Sequence, residues 1–486
     1  FEIIMFTHDQ KIMIDRIVKE LEENNFAIFA GAGLSSPAGF VNWRELLRPL
    51  SVELDLDIDK ENDLVSLAQY YVNENHGRSR LTERLIDEID IAKEPTVNHK
   101  ILAKLPISTY WTTNYDNLIE KALDDEGKLA DKKFTKNHLS QTKKGRSAVV
   151  YKMHGDASLP DQAIITKDQY ESYPLIYAPF ITALSGDLVS KTFLFLGFSF
   201  TDPNLDYILS RIRIHFEHNQ RQHYCIFRKV NRQDYETEED FSYNKLKQEF
   251  VIKDLARFSI KVVLIDTWKE LTSILEEITK RFRCRNVFLS GSAHEFGQWS
   301  QSATENFLTK LGEILIQEGF KITSGLGLGI GNAFISGAIK EVYSKKYAKI
   351  DDFLTMKVFP QFVEDPIERK RIWSLWRKDL LGQTGIAIFF MGNKIIKDDI
   401  TGETKLVLAD GMEEEFQIAK ELGLKLIPVG ASGYKAKELF ERIISDFDHY
   451  YPNVSSQFRE AFEKLNEDVD DPIQLLSKIH NIIKLI

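Results

Sequence analysis

Cysteine is nearly missing from this chain: Cys225 and Cys284 are the only two in 486 residues. Two thiols cannot build a disulfide framework, and their scarcity points to a reducing, cytoplasmic setting. No uninterrupted apolar run approaches the length that spans a bilayer, and no signal peptide is read, so no membrane partner is expected. The chain opens on Phe1 rather than Met, as expected of a trimmed terminus. An excess of positive charge is lacking as well. Lys and Arg total 63 against 73 Asp and Glu, a formal net charge of −10, which argues against a nucleic-acid partner. What remains, 43% hydrophobic with 28% charged residues, suits a soluble protein with large cores. The length predicts two or three domains.

Against that background one grammar repeats. Residues 8 to 25 read as an amphipathic helix with Ile12, Ile14, Ile17, Val18 and Leu21 on one side, and Phe26 to Ala30 as a buried strand. Gly31-Ala32-Gly33 then turns the chain sharply. Glycine lets backbone N–H groups approach a phosphate, and a helix starting there aims its positive end at it. The plain alternative is a strand-to-helix turn without a ligand. Ile107 to Trp111 leads into Thr113-Asn114-Tyr115-Asp116, Ala148 to Met153 into His154, and Thr192 to Leu196 into Gly197 and Ser199. His223 to Phe227 and Lys261 to Ile265 are further strands. Trp43 to Leu50 opens a helix, and 61 to 92 predicts an α-helical insertion. Each polar motif thus follows the carboxyl end of a strand, where an open parallel sheet holds its ligand crevice.

A basic, helical-looking piece, Thr279 to Arg285, separates two halves, taken as domains 1–283 and 284–486. The second half restarts the pattern. Val287 to Leu289 runs into Ser290-Gly291-Ser292, and Phe320 to Thr323 into Ser324-Gly325-Leu326-Gly327 and the glycines up to Gly331. Phe353 to Phe359, Gly385 to Phe390 and Leu424 to Val429 supply more strands, Asp410 opens a helix, and the chain from Lys435 onward is helical. The expected fold is α/β, two doubly wound Rossmann-like sheets with a helical C-terminus. The alternating glycines of Gly325–Gly331 depart from the dinucleotide fingerprint and equally suit a tightly packed turn.

GAG-L-S followed by Gly39 and Arg44 resembles the opening motif of the sirtuins, with Asn42 and Trp43 where that family has Asp and Phe. Thr113 to Asp116 is similar to the sirtuin T-Q-N-I-D, His154-Gly155 to its His-Gly, and Gly197-Phe198-Ser199 to its later Gly-x-Ser. The resemblance implies an NAD+ site over roughly the first 280 residues, with Ala32, Gly33, Ser35, Asn42, Trp43, Asp116, Gly197 and Ser199 as binding residues. Sirtuin deacylases insert a four-cysteine zinc module between the last two motifs, and here no cysteine lies between His154 and Gly197. The departure favours NAD+ chemistry without protein deacylation and without a metal. The second half resembles the SLOG nucleotide sensors. Asp410 to Glu415 keeps the last Gly and Glu of the related phosphoribohydrolase loop but not its Pro-Gly-Gly, which implies binding without turnover. A sirtuin-like half followed by a SLOG half is the layout of the ThsA effector family of Thoeris anti-phage defence. That resemblance implies a first domain that destroys NAD+ and a second that senses a cyclic ADP-ribose isomer made by a TIR-domain partner, in a homo-oligomer of four or more subunits. A protein deacylase or ADP-ribosyltransferase and a non-enzymatic nucleotide sensor are the alternatives.

Cleaving the nicotinamide–ribose bond builds oxocarbenium-like charge and needs a rigid donor plus a base near neutral pH. Asn114 suits the first role and His154 the second; by analogy Asp116 grips the carboxamide. Each has a plainer reading, Asn114 as a turn former and His154 as a satisfied histidine. For a dianionic signal, Arg377 and Lys394 are the expected phosphate partners and Glu415 a ribose acceptor, beside Ser290, Gly291, Gly325, Leu326 and Gly327. A solvated helix face is the plainer reading of Arg377.

Overall fold

Short apolar runs closed by glycine or a polar residue fold here as parallel strands. The structure, a computed structural model, describes residues 6–486 apart from 62, 90–92, 201, 217–218, 358, 361–362, 398–402 and 453. The first compact unit, Phe1–Thr279, holds seven strands: β1 (Phe26–Ala30), β2 (Thr109–Thr112), β3 (Ala130–Lys133), β4 (Ala148–Lys152), β5 (Thr192–Leu196), β6 (His223–Arg228) and β7 (Ile260–Ile265). They form one parallel sheet in the order β3-β4-β2-β1-β5-β6-β7. Every residue of β1 and β5 is buried, as expected of central strands covered on both faces. The chain leaves β1 toward β2 and later returns to the other side as β5, so β1 and β5 flank the topological switch point. Their register pairs Ala30 with Leu196, which brings the following glycines level.

Aromatic side chains fill one face of this sheet. Phe29, Phe193, Phe195 and Phe198 pack with Trp111 and Phe180, and Trp111 stacks on Tyr151 at 4.1 Å. The insertion comprises helices Trp43–Glu53, Leu64–Glu74 and Ser79–Ile89. Its apolar cluster (Leu46, Leu50, Leu67, Tyr71, Leu81, Leu85) also takes in Tyr115, Ala163 and Ile165 from the sheet body.

The second unit, Lys280–Ile486, contains β8 (Asn286–Ser292), β9 (Lys321–Ser324), β10 (Leu354–Met356), β11 (Ile386–Met391), β12 (Asn393–Lys397), β13 (Thr404–Leu408) and β14 (Lys425–Pro428). Five are parallel in the order β10-β9-β8-β11-β14, and β12 and β13 form a separate antiparallel hairpin. Helices Tyr434–Ser445, Ser456–Glu463 and Leu475–Lys484 close the chain. Among the described residues no helix is long and apolar enough to cross a membrane.

Several expectations need correction. The turn after β1 starts only a single helical turn, Ala32–Ser35, continued by a 3₁₀ turn and stopped at Gly39 with φ 91°. The basic stretch from Thr279 is helical as expected, and forms the end of helix Trp268–Cys284. β10 is shorter than expected, and position 358 lies outside the described residues, as do 90–92 at the end of the predicted insertion. Strand β3 was not expected because its sequence, ADKK, carries no apolar run, and the hairpin was not expected because its apolar stretches are only two and three residues long.

Gly197 has φ 63°, and a Cβ there would sit 2.2 Å from the Leu34 nitrogen. Gly197→Ala is therefore expected to cost at least ~2 kcal/mol through left-handed strain and backbone clash together. Urea denaturation checks this, and an unchanged midpoint would contradict it.

Candidate active site

The site begins with backbone touching backbone. Gly31 N–H donates to Leu196 O and Gly33 N–H to Gly197 O, both at 2.9 Å. A Cβ on Gly31 would lie 2.4 Å from the Gly197 oxygen and one on Gly33 2.8 Å from its Cα, so only glycines let the loops after β1 and β5 meet this closely. Between these loops and those after β2 and β4 opens a cavity of about 1010 Å³. Ala32, Gly33, Ser35, Asn42, Trp43, Asn114, Asp116, His154, Gly197 and Ser199 all line it. The insertion adds an apolar wall with Leu46, Leu64 and Leu85.

Asn114 follows β2, and its Nδ2 donates to Gly31 O and to Ser35 Oγ, both at 3.1 Å. A main-chain carbonyl can only accept, so the amide orientation is fixed. Both donors are thereby spent, and the carbonyl oxygen is what Asn114 has left to offer. The expected donor is an acceptor. Asp116 Oδ1 accepts from Leu118 N–H at 3.0 Å, and Asn42 Oδ1 caps helix Trp43–Glu53 through Glu45 N–H. Trp43 meets Tyr170 edge-on at 6.3 Å.

A buried charge cluster lies beneath these loops. Lys152, the last residue of β4, has no exposure, and its Nζ donates to Tyr115 O at 3.0 Å, to Asp116 O and to Asp156 Oδ2 at 2.5 Å. Glu120 stands 3.3 Å away. Burial works against the Lys152 charge, yet Glu120 and Asp156 more than offset it and keep the ammonium protonated. Burial pushes the Asp156 carboxyl up, while Lys152, Lys132 and Ser158 overcome that and hold it well below the usual carboxylate range. Lys152 thus ties the loop of Asn114 and Asp116 to the strand that delivers His154.

His154 is buried. Its Nδ1 lies 3.4 Å from Tyr170 Oη, and its Nε2 lies 3.1 Å from Asp202 Oδ2, close enough for an ion pair but out of line for a hydrogen bond. Asp202 was missed in the sequence. Its Asp-Pro pair signals only a helix start, and Oδ1 indeed accepts from Asn204 and Leu205 N–H at the head of helix Pro203–Phe216. Burial raises the Asp202 carboxyl, but His154 and those two N–H groups outweigh it and hold it below its ordinary value. Among the described residues no three His, Cys, Asp or Glu side chains gather as metal ligands do.

In the second unit Ser290 lies on β8, Arg377 within helix Pro366–Leu381 and Glu415 within helix Asp410–Glu421. Ser290 Oγ donates to Glu415 Oε2 at 2.5 Å, and Arg377 pairs with Glu414 at 2.6 Å and with Glu415 at 3.5 Å. Arg377 is only 5% exposed, so the solvated helix face does not describe it. Glu415 is enclosed, and burial pushes its carboxyl up against the opposing pull of Ser290 and Arg377. Lys394 pairs with Asp410 at the head of helix Asp410–Glu421. Gly325 lies against Trp376, where a Cβ would come within 2.6 Å of the ring, and Gly327 packs on Gly291 O. Leu326 takes φ 56° between them.

Residues 108–249 match the family described as SIR2-like domain, and residues 270–486 the Sir2- and TIR-associating SLOG family. The protein named NAD(+) hydrolase ThsA in Acinetobacter baumannii is 85% identical, over 99% of this chain and 100% of its own length. Its namesake in Bacillus cereus is 46% identical over 98% of both. Defense-associated sirtuin 2 of Bacillus subtilis is 26% identical over 40% of this chain and 20% of its own length.

Removing Lys152 takes the nearest cation from the buried Asp156, leaving it Lys132 and Ser158, and from the partly buried Glu120. Lys152→Met is expected to destabilise the protein by about 3 kcal/mol or more, read as a fall in the denaturation midpoint. A group held below its unfolded value, about 3.9 for Asp, stabilises fully above that pH and loses its contribution as pH falls toward the folded value. Acid should therefore narrow the gap between Lys152→Met and the parent chain below pH ~4. A gap unchanged between pH 7 and pH 3 would show that the charge pair is not its source.

Proposed function

Since this chain belongs to the ThsA family of NAD+ hydrolases, we propose that the cavity at the β1–β5 switch point is where NAD+ is bound and cleaved. The observation that carries the reading is the convergence of ten residues from four strand-end loops on one cavity. The loop of Ala32 and Gly33 takes the diphosphate, Gly197 and Ser199 the adenosine half, and Asp116 the carboxamide. As the ribose–nicotinamide bond breaks, its electron pair passes to the pyridinium nitrogen and nicotinamide leaves neutral. Positive charge then grows on the ribose carbon. The Asn114 carbonyl, held by Gly31 and Ser35, orients the attacking water as acceptor, and His154 takes its proton. Trp43 and the apolar insertion wall limit solvent around the reacting carbon. This chemistry needs neither a metal nor a cofactor besides NAD+ itself.

The second unit serves as the switch. Its match to the SLOG family supports a nucleotide ligand, read here as a cyclic ADP-ribose isomer made by a TIR-domain protein. The phosphates meet Arg377 and Lys394, the glycine loops Ser290–Gly291 and Gly325–Gly327 admit the ligand closely, and Glu415 faces the ribose. To meet phosphate, Arg377 and Lys394 exchange their carboxylate partners Glu414 and Asp410 for it. The ligand activates only insofar as it binds the active state more tightly. In this reading the chain works in the cytoplasm as a homo-oligomer of four or more subunits and defends against phage by depleting NAD+.

Asn114→Ala and His154→Ala should each lower NAD+ turnover by at least ~100-fold without changing the melting temperature. A folded variant that consumes NAD+ at the parent rate would remove that residue from the mechanism. Arg377→Ala loses a charge-assisted contact of about 1.5–3 kcal/mol, so the activation midpoint should rise roughly ten- to hundredfold. Turnover across a titration with cyclic ADP-ribose isomers measures this, and an unmoved midpoint would relocate the sensing site.

A further inference from the structure

Asp202 is the cavity-lining carboxylate that faces His154, no sirtuin motif accounts for it, and its two oxygens have different tasks. Oδ1 is committed to the helix head, accepting from Asn204 N–H at 2.9 Å and Leu205 N–H at 3.1 Å. That anchors the group and leaves Oδ2 facing His154 Nε2 at 3.1 Å. The carboxylate is held ionised by His154 and these N–H groups despite its burial. Having no proton, it can only accept.

The other side of the ring is equally defined. Tyr170 Oη lies 3.4 Å from Nδ1, and burial pushes this phenol well above its ordinary range, so it keeps its proton. Tyr173 meets the ring edge-on at 6.3 Å, and its own hydroxyl donates to Met153 O at 3.0 Å. A carboxylate 3.1 Å from Nε2, though out of line for a hydrogen bond, repels a lone pair and favours an N–H there, and the Tyr170 hydroxyl can donate to the Nδ1 lone pair that this tautomer leaves.

Building on the proposed NAD+ site, we infer that Asp202 is the positioning residue of His154, fixing the ring proton on Nε2 so that Nδ1 is the atom that takes up a proton, through Tyr170 Oη, from the attacking water. Water oxygen bonds to the ribose carbon as the carbon–nitrogen bond to nicotinamide breaks. The bonding pair leaves with nicotinamide, and one water proton passes to Tyr170 Oη as that hydroxyl gives its own proton to Nδ1. The imidazolium formed then lies against the Asp202 carboxylate, which stabilises it without accepting the proton. In a serine protease triad, replacing the equivalent carboxylate by an amide preserves geometry yet costs about 10⁴ in kcat through the wrong tautomer.

The test uses the full chain with two substitutions. Asp202→Asn keeps an oxygen for the helix head but turns an N–H toward His154, and Asp202→Ser keeps a capping hydroxyl while removing the carboxylate. Both are assayed for NAD+ turnover with cyclic ADP-ribose isomers as activators, for NAD+ binding by calorimetry, and for melting. The inference expects kcat to fall at least ~100-fold in both variants, with NAD+ affinity within about threefold of the parent and melting preserved. Should the Asn variant melt early, the Ser variant carries the comparison. Parent-like kcat in a folded variant, or a loss confined to KM and affinity, overturns it. His154→Ala runs alongside. Parent-like turnover there overturns the NAD+-site reading and this inference with it, whereas an inactive His154→Ala beside a fully active Asp202→Asn overturns the positioning role alone.

Discussion

The site depends on one contact, the approach of the Gly31–Gly33 backbone to Gly197 across the switch point. Two inter-loop hydrogen bonds of 2.9 Å hold it, and no side chain fits between. Because β1 and β5 are in register, this contact sets the mouth of the crevice at a fixed height above the sheet. Asn114 then hangs from it, since Gly31 O takes one of its two amide protons. Position and chemistry are coupled here. The contact that shapes the loop also decides that Asn114 keeps only its carbonyl oxygen free, as an acceptor.

Across the crevice the constraint is electrostatic. Lys152, Asp156, Glu120 and Lys132 form a buried group whose members would be expensive singly, and such groups are weak evidence for stability as a whole. A hydrophobic residue at 152 could fill the volume but could not hold the carbonyls of Tyr115 and Asp116. Tyr115 extends the stitching: its carbonyl accepts from Ala157 N–H and its hydroxyl donates to Ile164 O, while Ile164 N–H returns to His154 O. The loops carrying Asn114, Asp116 and His154 are thereby joined into one rigid wall. Preorganisation of this kind favours a reaction whose charge develops on a single carbon.

Much of this was legible in the sequence because central parallel strands write themselves as apolar runs ending in glycine or polar motifs. Phe26–Ala30 and Thr192–Leu196 were read to the residue. β3, with the sequence ADKK, was invisible because an edge strand needs no apolar run. Lys152 carries no mark of its own within the strand leading to His154, and only the fold shows what it holds. Asp202 carried a true signal, a helix start, that concealed its second oxygen. Arg377 sits among Arg369, Lys370, Arg371 and Lys378, and nothing in that basic run marks it as the one turned inward. Spacing reveals which loops converge; the division of labour among lone pairs and protons follows only from distances.

The central claim is that NAD+ is bound and broken at the β1–β5 switch point. The most direct measurement is a crystal structure of the full-length Asn114→Ala protein soaked with NAD+. The account predicts the diphosphate at Ala32–Gly33, adenosine against Gly197–Ser199, and the nicotinamide ribose between Asp116 and His154. NAD+ density elsewhere, with this cavity filled only by solvent, would contradict it.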